Sequence, residues 1–204
     1  NMQKDYFKDI SEIKDLMNRS SRFISLSGLS GILAGCYALI GAAVAYLYFL
    51  PPAINIDYSS TKEIKVNYII LDLILVATFS IVTAIILTMK KAKSNQEKIW
   101  DATTQRLLLN FMVPLAAGGI YILIQAYQNH FGLSAALMLI FYGLALVNAS
   151  KFTIGNVQFL GYAEIILGLI CAAFPGYGLY FWALGFGVLH IVYGILMYRA
   201  EKRQ

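Results

Sequence analysis

Long apolar runs separated by short polar segments are the main pattern along this chain. A membrane-spanning helix needs about 20 mostly apolar residues, and six runs reach or approach that length. They cover roughly 24–50, 66–89, 106–126, 133–149, 157–174 and 179–198. The pattern predicts an all-α polytopic membrane protein in which residues 23–204 form a six-transmembrane-helix bundle.

The composition favours the same class of protein. Charged residues make up 13% of the chain and hydrophobic residues 59%, whereas a soluble domain carries roughly 25% charged residues. We therefore expect the lipid bilayer to be the main partner. Asn1 precedes Met2 and is interpreted as an expression-tag remnant, and the first apolar run is too long for a cleaved signal peptide.

Lysine and arginine residues lie almost entirely on one side of the predicted spans. Fourteen of the 16 fall in the N-terminal segment, in 90–106, at Lys151 and in the C-terminal segment, and the other two are Lys62 and Lys65. Cytoplasmic loops carry the excess of positive charge, which predicts that both termini are cytoplasmic. The net charge of +5 then reflects topology, and no nucleic-acid partner is expected.

Residues 1–22 are predicted to form a cytoplasmic amphipathic leader helix. Tyr6, Ile10, Ile13 and Met17 follow a helical spacing, and charged residues cover much of the remaining surface. This helix would lie on the membrane, pack under the bundle, or bind a partner. Residues 3–22 are thus the expected surface for a cytoplasmic or homo-oligomeric partner.

Small residues recur three or four positions apart in the first, fifth and sixth spans. Residues at that spacing share one face of a helix, and small side chains let two membrane helices approach closely. The glycines predicted to mediate helix packing are Gly28, Gly31, Gly35, Gly161, Gly168, Gly187 and Gly194.

Glu164 and His190 interrupt the fifth and sixth spans within these small-residue faces. At 1.5 Å per residue, both lie roughly 10–12 Å from the cytoplasmic ends of their helices. Because a short turn joins the two helices, we predict that the side chains approach each other. Ionisable residues inside a membrane are costly and often functional. The pair is either a structural contact or a proton-binding or ligand-binding site.

Three further polar residues are candidates for the same interior. Asn110 and Gln125 share a face of the third span with Pro114, and Asp72 lies in the second span near its outer end. Polar groups in lipid need partners, so the third-span face is expected to point inward. Hydrogen bonding between helices is the alternative for Asn110 and Gln125, and partial hydration is the alternative for Asp72.

Motifs for catalysis, metals and cofactors are sparse. The run Gly28-Leu29-Ser30-Gly31 resembles the GxSG motif of rhomboid intramembrane proteases, but it lies in the first span and toward the cytoplasm. The chain has two histidines, too few for a confident metal or haem site with Glu164. We therefore predict no catalytic residue, no metal and no cofactor.

The run FISLSGLSGILAG (23–35), which follows a charged leader, resembles the first span of uncharacterised six-helix bacterial inner-membrane proteins. The resemblance implies a bacterial membrane protein and brings no activity with it. Three functions stay open. The preferred one is binding or transport of a small solute or proton around Glu164 and His190. The alternatives are a membrane-embedded sensor or regulatory subunit acting through the leader helix, and an intramembrane enzyme acting on lipid or peptide.

Overall fold

The computed structural model describes residues 27–49, 60–94, 99–153 and 157–202, and these ranges contain six helices and no β-strand. The leader helix predicted over 1–22 lies outside the described residues. We number the helices α1 to α6. They are α1 (Gly28–Val44, continued by a π-helical turn, Ala45–Phe49), α2 (Ser60–Ser94), α3 (Ala102–Tyr127), α4 (Ser134–Ala149, continued by a 3₁₀ turn, Ser150–Phe152), α5 (Val157–Ala173) and α6 (Gly178–Glu201).

Five of these helices are long and apolar enough to cross a membrane, and α5 is a shorter apolar helix of 17 residues. The all-helical architecture predicted from the apolar runs is confirmed, and the long apolar helices indicate a multi-pass membrane protein in contact with lipid. Helix α3 begins at Ala102, earlier than the predicted 106. The reason is local, because Asp101 caps this helix by accepting a hydrogen bond from the Thr104 amide at 2.7 Å.

Helices α1, α4, α5 and α6 form the centre of the bundle. Helix α4 packs against α5 and α3, helix α1 packs against α6 and α2, and the first half of α6 also contacts α4 and α5. Helices α2 and α3 lie at the periphery, with most of their apolar side chains exposed. The four central helices therefore form the interior of the bundle.

Glycines set the distances between the central helices. In the α1–α6 contact, a Cβ atom added to Gly194 would lie 2.6 Å from the Ile32 amide nitrogen, and one added to Gly35 would lie 2.6 Å from the Gly187 carbonyl. In the α4–α5 contact, a Cβ on Gly161 would lie 2.8 Å from the Gly143 carbonyl. No side chain fits at such separations, so the two backbones touch directly.

The other glycines predicted for packing occupy the same two contacts. Gly28 and Gly31 of α1 face the backbone around Gly194, and Gly187 faces Leu39. Gly168 of α5 faces Ile140 and the Ala136 carbonyl of α4. All seven glycines therefore lie where one helix backbone meets another helix.

Candidate functional site

The carboxylate of Glu164 lies in the interior of the bundle. Its side chain has 0% exposure, and neither oxygen has a hydrogen-bond partner among the described residues. The groups around it are apolar, because Leu139 of α4, Leu167 of α5 and Oε2 of Glu164 converge on Gly185 of α6. A carboxylate without hydrogen-bond partners in such surroundings costs several kcal/mol (roughly 2.5–3.5 at the centre of a membrane helix).

His190 of α6 lies beside this carboxylate. Its Nδ1 atom lies 3.4 Å from Glu164 Oε1, which is within ion-pair distance but lacks hydrogen-bond geometry. The same Nδ1 atom lies 3.0 Å from the Gly185 carbonyl oxygen, and Nε2 lies 2.8 Å from the hydroxyl of Tyr142 on α4. The predicted approach of Glu164 and His190 is thus present, with Tyr142 as a third member.

The local backbone of α6 creates room for the carboxylate. The helix is π-helical over Ala183–Leu189 and returns to α-helix at His190. A Cβ on Gly185 would collide with Leu139 and lie 2.5 Å from Glu164 Oε2. Short π-helical segments often occur at functional sites. Here the segment places a glycine against Glu164 and a histidine beside it.

Aromatic rings surround the imidazole. Phe186 stacks on His190, with the ring centroids 5.9 Å apart and the ring planes at 23°. The centroid of the Tyr142 ring lies 5.3 Å from that of His190. Tyr142 in turn contacts Phe186 at 5.1 Å and Phe111 of α3 at 6.1 Å. The faces of aromatic rings attract cations, so these rings would favour a protonated imidazole, and their contacts hold the Tyr142 ring in position.

The hydrogen-bond partners define which nitrogen of His190 carries a hydrogen. A carbonyl oxygen only accepts, so Nδ1 must donate to Gly185. Nε2 is free to accept from Tyr142 when the imidazole is neutral, or to donate to it when the imidazole is charged. A proton gained or lost at Nε2 would therefore leave the bond to Gly185 intact.

Asn110 takes part in a separate hydrogen-bonded contact between α3 and α4. Pro114 has no N–H group, which leaves the carbonyl of Asn110 one turn earlier without its helical donor. The Asn148 side chain of α4 donates to that carbonyl at 3.0 Å, and the Asn110 side chain donates to the Arg106 carbonyl at 2.8 Å. Both interactions satisfy backbone groups of α3, and neither reaches Glu164.

Gln125 and Asp72 also lie away from the Glu164 cluster. The Gln125 amide donates to the hydroxyl of Tyr121, one turn earlier on α3, at 3.3 Å. Asp72 is half-buried on α2, where its Oδ2 atom would lie 3.1 Å from a Cβ on Gly41 of α1. Of the five predicted polar site residues, the structure brings together Glu164 and His190.

Ser30, the serine of the GxSG run, has a local partner. Its hydroxyl donates to the Ser27 carbonyl at 2.6 Å, in the first turn of α1. Within the described ranges, no group of three or more His, Cys, Asp or Glu side chains is arranged to hold a metal ion.

Two members of the site were missed in the sequence, namely Tyr142 and Gly185. Tyr142 carried a usable signal, since it is the only side chain with a hydroxyl or amide between Ser134 and Asn148 in the fourth span. Gly185 carried none, because its role depends on the π-helical turn that brings it against Glu164. No protein-family model, curated protein or solved structure matches this chain.

Proposed function

We propose that this chain is a six-span membrane protein that binds and transports a proton, alone or together with a small solute, through Glu164 and His190. One observation carries the proposal. A carboxylate with no exposed surface and no hydrogen-bond partner among the described residues lies 3.4 Å from an imidazole nitrogen. A group arranged for stability alone would have its oxygens satisfied.

A proton is the species that best suits this site. A proton bound by the Glu164–His190 pair balances the charge of the carboxylate without adding volume. The side chain is enclosed by Leu139, Leu167 and Gly185, so a larger ligand would have to displace packed apolar groups. A coupled solute would therefore bind beside the cluster and respond to its protonation, while the Glu164–His190 pair holds the proton.

The proposed topology places both termini in the cytoplasm of a bacterial cell. It is supported by the distribution of Lys and Arg, with 14 of 16 on one side of the spans. It is also supported by contacts between helix ends. Glu201 at the end of α6 accepts from the Gly28 amide at the start of α1 at 2.8 Å, and pairs with Lys91 near the end of α2 at 2.9 Å.

Proton transport is tested with purified protein in liposomes that contain a pH-sensitive dye. A pH gradient is imposed while potassium and valinomycin compensate the charge. We expect proton entry above the level of protein-free liposomes, and we expect Glu164→Gln to return it to that level, because an amide at this position neither binds a proton nor balances the charge of a protonated His190.

Glu201→Gln is the matched control, since it makes the same chemical change at a glutamate whose oxygen already has partners. Its proton flux should equal that of the wild type. Wild-type flux no greater than in protein-free liposomes would refute transport, and full flux in Glu164→Gln would show that the proton takes another route.

A further inference from the structure

We infer that Tyr142 is the relay through which the Glu164–His190 site exchanges its proton with water, while the Nδ1 hydrogen of His190 stays fixed on the Gly185 carbonyl. The inference rests on the proposed function, because it assumes that the site binds a proton. It adds the route, the residue that provides it, and the tautomer of the histidine.

The Gly185 carbonyl determines the direction of the route. It lies 3.0 Å from Nδ1 and can only accept, so a hydrogen must occupy that nitrogen. Passing this hydrogen to Glu164 would leave two acceptors, the Nδ1 lone pair and the carbonyl oxygen, facing each other at 3.0 Å. The Nδ1 hydrogen is therefore held in place, although Glu164 Oε1 lies 3.4 Å away.

Nε2 is the remaining position for exchange, and it contacts the Tyr142 hydroxyl at 2.8 Å. In proton uptake, a hydronium ion on the far side of Tyr142 gives a proton to the phenol oxygen as the phenol passes its own hydrogen to Nε2. One O–H bond forms and another breaks at Tyr142, one N–H bond forms at His190, and a water molecule is left. Tyr142 ends the step unchanged, and the imidazolium beside it balances the charge of Glu164.

Each helix packed against His190 contributes few titratable groups. Helix α5 contributes Glu164 and helix α4 contributes Tyr142. Helix α1 meets α6 at this level with Gly31, which lies against the His190 carbonyl. On α6 itself, Tyr193 packs with Tyr142 against the same apolar cluster. Tyr142 is thus the hydroxyl group in hydrogen-bond contact with Nε2.

The tautomer is measured by NMR on full-length protein in lipid bilayers, with histidine labelled with the NMR-active nitrogen isotope. The chain has two histidines, so a His130→Gln background leaves His190 as the only signal. At high pH we expect hydrogen on Nδ1 and none on Nε2. As the pH falls, Nε2 should gain a hydrogen while Nδ1 keeps its own. Hydrogen on Nε2 with bare Nδ1 at high pH would overturn the inference.

The same samples are used to test the relay. The measured quantity is the rate at which the Nε2 hydrogen exchanges with water. Tyr142→Phe removes the hydroxyl and keeps a ring that can contact Phe186 and Phe111. We expect exchange to slow about a hundredfold, the scale typical of losing a positioned proton-transfer group. Exchange at the wild-type rate in this variant would contradict a relay through Tyr142.

Tyr37→Phe is the matched control, because the Tyr37 hydroxyl contacts Thr83 Oγ1 at 3.3 Å between α1 and α2. It should leave the Nε2 exchange rate unchanged, and slowing equal to that in Tyr142→Phe would overturn the assignment. Absence of proton flux in liposomes, with the relay still visible by NMR, would contradict transport and leave the relay intact. Failure of the relay appears as wild-type exchange in Tyr142→Phe while flux persists.

Discussion

The carboxylates of Glu201 on α6 and Glu164 on the neighbouring helix α5 have opposite surroundings. Glu201, at the end of α6, is 24% exposed, and its Oε1 atom accepts from the Gly28 amide at 2.8 Å and pairs with Lys91 at 2.9 Å. Glu164, in the bundle interior, has 0% exposure and no hydrogen-bond partner among the described residues. The partly exposed carboxylate has hydrogen-bond partners, and the fully buried one has none among the described residues.

If stability alone determined the arrangement, the buried carboxylate would have hydrogen-bond partners and the carboxylate at the helix end would need none. A surface ion pair contributes little, typically below about 1 kcal/mol, whereas a buried carboxylate without partners is destabilising. At the helix ends, Glu201 joins three helices and satisfies a backbone amide of α1 that has no helical partner. In the interior, we expect Glu164 to lower stability, as residues kept for function often do.

The space around Glu164 is the feature whose loss should have the largest effect. In Gly185→Ala, the new methyl group would collide with Leu139 and lie 2.5 Å from Glu164 Oε2. We expect a loss of about 3 kcal/mol in the free energy of unfolding, at the upper end for overpacking, together with loss of proton flux. Thermal unfolding in detergent and the liposome assay measure the two effects.

Gly119→Ala provides the control for this substitution. Gly119 also lies within a helix, but nothing lies within 4 Å of a Cβ placed there. Alanine favours a helix over glycine by about 0.5–1 kcal/mol, so this variant should be neutral or slightly more stable. Equal destabilisation of both variants would mean that the packing at Gly185 is not specific.

The same substitution at the two glutamates should change stability in opposite directions. Methionine has a similar length and no charge. Replacing buried ionic groups by apolar ones is often neutral or stabilising, so Glu164→Met should raise the free energy of unfolding by about 1–2 kcal/mol while abolishing proton flux. Glu201→Met removes the acceptor of the Gly28 amide and one partner of Lys91, and should lower the free energy of unfolding by about 1–2 kcal/mol.

Thermal unfolding of the wild type and both variants in one detergent decides this comparison. A Glu164→Met protein less stable than the wild type would show that the carboxylate holds the helices together. In that case the contact with His190 would be structural, and the contrast between the two glutamates would disappear.

Much of the fold was predictable from the sequence, because lipid imposes simple length and polarity requirements. The six apolar runs correspond to six helices, and Pro114 indicated a freed carbonyl in α3 that Asn148 satisfies. The depth of Glu164 and His190 in consecutive helices likewise indicated that they would meet. These inferences use spacing along one helix or between helices joined by a short turn.

The rest of the site depends on contacts between helices distant in sequence. Tyr142 reaches His190 because α4 packs against α5 and the first half of α6, and periodicity alone does not state which helices are neighbours. Asn110 and Gln125 share a polar face, yet their side-chain amides bond within α3, to the Arg106 carbonyl and the Tyr121 hydroxyl. A polar face on one helix therefore does not reveal which groups it reaches.

Asp101 extends the comparison to a third carboxylate and gives the smallest expected effect. It accepts from the Thr104 amide at 2.7 Å at the start of α3, and this backbone hydrogen bond lowers the pKa of Asp101 below its ordinary value. A lowered pKa in the folded state means that the stabilisation is complete above the unfolded-state pKa, about 3.9. It is lost as the pH falls through the folded-state pKa.

Asp101→Ala should therefore lower the free energy of unfolding by up to about 1 kcal/mol at pH 7, as expected for loss of an exposed N-cap. The difference from the wild type should shrink as the pH falls below about 4. Asp101→Asn should keep the cap at every pH, since asparagine caps as well as aspartate and does not titrate there. Unfolding midpoints of the three proteins between about pH 7 and 3 test this, and a pH-independent deficit in Asp101→Ala would mean that the carboxylate charge contributes nothing. A satisfied carboxylate at a helix end then acts as a small, separable stabiliser, in contrast with Glu164.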